Sequence, residues 1–215
     1  CLTSINGSMI KWDKAMASEK VSSSGQFSGK KIIIIHGYTA SPSSNWFPWL
    51  KEKLTEQGAE VFVPAMPDTS APKPESWAKM LMDIVPVADK NSVFIGHSLG
   101  CIAVLRHLES ICSQHLHIGG YILVSGFDSP QITVPELNAF TVEPLDYAFL
   151  RQITKQRISL ISSNDQIVSP QSSLDLAHAL QTEVIHVANA GHFLDRDGFT
   201  RLSPVYDILQ NMLSE

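Results

Sequence analysis

Cysteine is scarce in this chain: three in 215 residues, an odd number. That excludes a disulfide framework, which takes even sets of spaced cysteines. No C-x-x-C, H-E-x-x-H or similar tight spacing joins them to the eight histidines, so no metal is expected. Long apolar runs are missing too. Ile32 to Ile35 has the length of a strand, and nothing approaches a membrane span. Positive charge is short: 16 Lys and Arg stand against 21 Asp and Glu, a net charge of −5. Such a chain has no basic footprint, so a nucleic-acid partner is not expected. What remains is a soluble globular composition, 44% hydrophobic. It suffices for one substantial core and is short for two domains.

The first thirty residues are rich in Ser, Lys and Gly and lack periodicity, so they read as a flexible extension (1–30) ahead of one domain (31–215). The chain begins at Cys1. A lipid-modified cysteine with a polar tether is one reading; a start near Met16-Ala17-Ser18 is the other, and Met9, Ile10, Trp12 and Met16 suit a solvated tether poorly. The cytoplasm is therefore the expected compartment, with a lipid anchor at Cys1 as the alternative.

From Lys31 onward, strands and helices alternate. Lys31 to His36 is a β-branched strand, followed by a helix over roughly Ser44 to Gln57, a strand at Glu60 to Val63, and a helix opening at Pro74. Ser92 to His97 is apolar and β-branched. Strands at Gly120–Ser125, Arg157–Ile161 and Glu183–Val187, with helices at Ser172–Leu180 and Pro204–Leu213, complete the rhythm. This predicts an α/β fold with a mostly parallel central sheet and helices on both faces. Residues 126–156 break the alternation with three prolines and several aromatics. They are too few for a large lid domain but enough to cover part of a site.

The stretch Gly96-His97-Ser98-Leu99-Gly100 matches G-x-S-x-G, a serine on a sharp strand-to-helix turn. The glycines leave room for the tight turn, and the hydroxyl projects above the sheet edge. An amphipathic helix through Ile102, Leu105, Leu108 and Ile111 is expected to follow, with Cys101 a small core residue on it. A serine hydroxyl is a weak nucleophile until a base takes its proton. The base should be a histidine oriented by a carboxylate, each on a post-strand loop, in the chain order Ser, acid, His. His107, His115, His117 and His178 fall on or near helices and read as surface or helix-end residues; His186, inside a strand, reads as packed core. His192 alone sits in a post-strand loop, Asn189-Ala190-Gly191-His192-Phe193.

Asp165, four residues past the Arg157–Ile161 strand, is the expected acid; Asp128 is the runner-up, and Asp195 and Asp197 read as solvated. An oxyanion needs two converging N–H donors. Leu99 should supply one, and Tyr38 or Gly37, after the first strand, the other. Trp49 and Trp77 read as core; Trp46, near the loop, is read as core or as a substrate platform. His97 lies inside the turn and is not the base.

The segment His36-Gly37-Tyr38-Thr39-Ala40-Ser41-Pro42-Ser43-Ser44-Asn45-Trp46-Phe47-Pro48-Trp49-Leu50, then Met66-Pro67, Trp77, Gly96-His97-Ser98-Leu99-Gly100, Asp165 and Gly191-His192-Phe193, resembles the small serine hydrolases related to retinoblastoma-binding protein nine. The resemblance spans roughly residues 31–213. It implies a compact α/β-hydrolase without a large lid, a Ser98–His192–Asp165 triad and no cofactor. It also implies hydrolysis of short-chain carboxylic esters or, in some relatives, of amide bonds in small peptides. The first loop is H-G-Y rather than the glycine-rich form of animal members. The L-x-C-x-E motif is absent, so no retinoblastoma-type partner is expected. The leading expectation is a carboxylesterase-like serine hydrolase acting on a small ester; the rivals are a serine aminopeptidase on short peptides and a protein-binding module with a vestigial site.

Overall fold

The computed structural model describes residues 25–214. Expectations for the residues before Gly25, including the tether at Cys1, lie outside that range. Residues 25–30, read from sequence as extension, are docked on the fold. Phe27 is fully buried edge-on to Tyr206, and its N–H donates to the Gln57 carbonyl at 2.8 Å.

Six strands form one sheet: β1 (Lys31–Ile35), β2 (Glu60–Phe62), β3 (Ser92–His97), β4 (Gly120–Val124), β5 (Arg157–Ser162) and β6 (Glu183–Val187). All pair in parallel, in the order β2-β1-β3-β4-β5-β6. Parallel neighbours need crossovers; five of the six described helices supply them, and the sixth follows β6. The helices are α1 (Phe47–Glu56), α2 (Pro74–Ile84), α3 (Leu99–Ser110), α4 (Tyr147–Gln152), α5 (Pro170–Leu180) and α6 (Ser203–Met212).

Side chains alternate across each strand, so every central strand feeds two cores. Ile33, Ile35, Phe94, Tyr121 and Leu123 pack with residues of α2, α3, α4 and α5. Ile32, Ile34, Val93, Ile95 and Leu160 pack with Phe27 and the apolar faces of α1 and α6. Burying Phe47, Leu50 and Leu54 on α1 contributes roughly 2 kcal/mol per side chain. That helix begins three residues later than its sequence suggests, because Asn45 takes a left-handed backbone (φ 52°) ahead of it. It stops at Gly58, whose φ of 92° suits a residue without a β-carbon.

The helix after the serine departs from expectation. α3 is not amphipathic: Leu99 to Leu105, His107 and Leu108 are all buried. The sheet covers one side, and α2, α4 and the 3-10 segment Pro135–Thr141 cover much of the rest. No described helix is long and apolar enough to cross a membrane.

The strand order sets where a ligand can sit. From β1 the chain moves outward to β2, then returns across β1 to β3. The loops leaving β1 and β3 therefore part in opposite directions, opening a crevice at their carboxyl ends. Ile35 pairs with Gly96, so Gly37 is level with Ser98.

Candidate active site

Ser98 is the single residue between β3 and α3. Its backbone lies at φ 57°, ψ −121°, a strained conformation for a residue with a β-carbon. Tertiary contacts hold it there. The Ser98 N–H donates to the Val124 carbonyl at 2.9 Å, anchoring the turn to β4. A β-carbon on Gly96 would fall 2.6 Å from the Cys101 Cα, and one on Gly100 only 2.0 Å from the Ile35 carbonyl oxygen. The G-x-S-x-G glycines are thus required by backbone approaching backbone.

Asp165 and His192 stand on the loops after β5 and β6. His192 Nδ1 lies 2.7 Å from Asp165 Oδ2, and both residues are buried. The other carboxylate oxygen, Oδ1, accepts the N–H groups of Ile167 (2.9 Å) and Val168 (3.0 Å). Burial alone would raise the Asp165 pKa. The hydrogen bond from His192, the histidine's charge and the two amides outweigh it and hold the carboxyl below its usual range. An ionised carboxylate only accepts, so the His192 proton resides on Nδ1 and Nε2 is left as an acceptor.

The loop bearing His192 is tightly wound. Asn189, Gly191 and Phe193 all have positive φ, at 54°, 57° and 54°. Side chains hold several backbone groups in it, the Asn189 N–H on Ser163 Oγ (2.9 Å) among them. The Gly191 N–H donates to Asn164 Oδ1 (2.8 Å), the His192 N–H to Asp197 Oδ2 (2.9 Å), and the His192 carbonyl accepts from His97 Nε2 (2.8 Å). Asp197 is therefore a loop clamp rather than the merely solvated carboxylate its sequence suggests.

After β1, His36 ties down the opposite wall. Its Nδ1–H donates to the Gly37 carbonyl and its Nε2 accepts the Met66 N–H, both at 3.0 Å. Burial lowers its pKa, which suits the neutral ring this pattern requires. A β-carbon on Gly37 would lie 3.5 Å from the Leu99 nitrogen, so the two candidate oxyanion loops adjoin. Among the described residues, neither the Tyr38 nor the Leu99 N–H donates to a protein acceptor. For Leu99, this is the expected state of a first-turn helix amide.

Ser98, His192, Gly37 and Tyr38 all line one cleft of about 420 Å³. That volume suits a small organic ligand. Val134, Leu137, Ile167 and Leu194 give it apolar surface; Thr39, Ser44, Asn45, Asp195 and Arg196 give it polar surface. The irregular 126–156 segment thus supplies part of the wall.

A serine hydrolase family profile matches residues 32–211. The chain belongs to the serine hydrolase family. Its relatives include YdeN of Bacillus subtilis, 38% identical over 86% of this chain and 97% of that one. The YdeN crystal structure superposes with a TM-score of 0.83, covering 86% of this chain and all of that one. The serine hydrolase RBBP9 of Rattus norvegicus is 22% identical over 86% of this chain and 96% of its own. Est1E of Butyrivibrio proteoclasticus, solved with ferulic acid bound, shares the fold at a TM-score of 0.61 and 14% identity, covering 87% of this chain and 88% of that one.

Within this serine hydrolase fold, other expected roles are redistributed. Asp128 is engaged by the Tyr147 hydroxyl, away from His192. His107, expected near the surface, is buried, and its Nε2–H donates to the Val85 carbonyl at 2.7 Å. His186, expected in the core, is exposed because β6 is an edge strand. Trp46 is fully buried against Phe47 and His97, outside the cleft lining. The parts missed from sequence are the clamps His97, Asn164 and Asp197. Only the N-D pair at 164–165 and the D-R-D run carried any signal for them, and neither points to a loop on another strand.

Proposed function

We propose that this serine hydrolase cleaves short-chain carboxylic esters through an acyl-enzyme. Ser98 Oγ attacks the ester carbonyl carbon and gives its proton to His192 Nε2. Asp165 holds His192 in the Nδ1–H tautomer and stabilises the imidazolium. The Leu99 and Tyr38 amides receive the oxyanion, with Gly37 keeping the approach open. The C–O bond to the leaving group then breaks, and the alkoxide takes the proton from His192. Water, deprotonated by the same imidazole, attacks the acyl carbon. The carbonyl–Oγ bond breaks, Ser98 Oγ takes the proton back from His192, and the acid is freed.

The observation that carries this reading is that His192, paired with Asp165 at 2.7 Å, lines the same cleft as a serine at φ 57°. The cleft's modest volume and its apolar contribution from Val134, Leu137 and Ile167 favour a short acyl chain. The test is labelling of the purified chain with a fluorophosphonate, peptide mapping, and turnover of p-nitrophenyl esters beside aminoacyl-coumarin amides. A Ser98 adduct with preferred turnover of acetate to hexanoate esters is the expected result. Preferred amide turnover would make the chain a serine aminopeptidase. No adduct on folded protein would overturn the hydrolytic reading in favour of a binding module.

A further inference from the structure

We propose that His97 is a positioning residue for His192: its Nε2–H holds the carbonyl oxygen of the base's own peptide and so fixes where the base stands. The inference rests on the Ser98–His192–Asp165 reading and adds to it a residue that acts through the backbone of His192.

The bond is 2.8 Å long and buried, and a carbonyl only accepts, so Nε2 carries the proton. The donor itself is fixed. Trp46 and Phe47 stand edge-on to the His97 ring, at centroid distances of 5.6 and 5.8 Å. The His192 ring lies on it at 5.1 Å, tilted 34°. Burial, with His192 beside it, lowers the His97 pKa to about 3, so the ring stays a neutral single donor near pH 7.

The placement of this donor matters chemically. His97 is the last residue of β3 and is covalently joined to Ser98. His192 arrives from the far edge of the sheet, after β6. One hydrogen bond therefore references the base to the strand end that carries the nucleophile. The opposite end of the residue is tied separately, by Asp197 on the His192 N–H. With both ends held, the peptide cannot swing, and the imidazole keeps its distance from Ser98 while paired with Asp165. Without His97 the carbonyl would be left buried and unpaired, and its plane would be free to turn.

Two variants separate the donor from the ring. His97→Phe keeps a ring between Trp46 and Phe47 but has no N–H. His97→Gln loses the ring but presents an amide N–H at a similar reach. Each is compared with the unsubstituted chain for melting temperature, kcat and KM on p-nitrophenyl butyrate, fluorophosphonate labelling rate, and the low-field proton resonance of His192 Nδ1–H. The expected result is a fall in kcat of about 10- to 100-fold in His97→Phe, with KM within about twofold and the resonance shifted or broadened. His97→Gln should recover kcat to within about fivefold. Folded His97→Phe with unchanged kcat and labelling, beside an unsubstituted chain that labels on Ser98, overturns the role of His97 alone. So does a folded His97→Gln as slow as His97→Phe, since the ring rather than the donor would then matter. If the unsubstituted chain does not label, the hydrolytic reading and this one fall together. Should His97→Phe not fold, His97→Met, which also fills the space without a donor, is read the same way.

Discussion

Gly37 and Ser98 face each other across the seam between β1 and β3: a β-carbon on Gly37 would stand 3.1 Å from that of Ser98 and 3.0 Å from the His97 carbonyl oxygen. Neither neighbour is the loose end of a flexible side chain. Gly37→Ala must therefore push the two loops apart, costing about 1–3 kcal/mol of stability. Because those loops carry the candidate oxyanion donors, kcat should fall by about 100-fold or more. Ester kinetics beside a urea titration would check this; a stability loss with intact kcat would mean the loops do not hold the oxyanion.

Asp165→Asn isolates the tautomer. The amide oxygen can still accept from Ile167 and Val168, as Oδ1 does now. The amide NH2 would then face His192 Nδ1, which must become an acceptor, and the ring proton moves to Nε2. The base is lost while the loop is kept. The expected outcome is a fall in kcat of about 10⁴-fold with a modest drop in melting temperature. Steady-state kinetics with circular dichroism decides it.

Acid should destabilise the fold well above the carboxylate range. Burial lowers the pKa values of His36, His97 (to about 3) and His107 (to about 4). In the unfolded chain they titrate near 6.5. As pH falls below that value the unfolded state takes up protons the folded state refuses, so stability falls, by about 1.4 kcal/mol per pH unit for each such histidine. The loss levels off as pH passes below each folded value. Asp165, whose folded pKa is depressed, adds a further loss below about pH 4. Urea midpoints at pH 7.5, 6 and 5 would show the decline. A flat profile would mean the three rings are protonated or exposed.

Two glycines should respond in opposite ways to alanine. At Gly100 the added carbon would lie 2.0 Å from the Ile35 carbonyl oxygen, a backbone atom with nowhere to go. Gly100→Ala should fail to give folded protein. At Gly198 nothing lies within 4 Å, and only the φ of 94° resists. Gly198→Ala should fold, losing about 1 kcal/mol. Expression and thermal melts of the pair are sufficient.

The central strands are legible in the sequence because β1, β3, β4 and β5 are compact apolar runs, the pattern of strands covered on both faces. Ser98 is legible because its turn demands glycines locally. Asp165 and His192 can be placed on post-strand loops by order and spacing. What is hidden depends on neighbours remote in sequence. α3 looks amphipathic, yet α2, α4 and the Pro135–Thr141 segment bury nearly all of it. His186 lies in an apolar run, but β6 has only one neighbour and leaves it exposed. Asp197 reads as a surface charge, and only the folded 189–198 loop brings it to the His192 N–H.

That edge position of β6 sets the order in which the protein fails. His192, the proposed base, hangs from the strand with a single partner, on a loop with three residues of positive φ. Such a segment opens before the centre of a sheet does. On heating or in mild urea, His192 should leave its place while β1, β3 and β4 remain folded. Ester turnover would then vanish at a lower urea concentration than the far-ultraviolet signal. The useful lifetime of the molecule is thereby governed by its rim, and tightening the β6 edge should prolong activity without raising the global melting temperature.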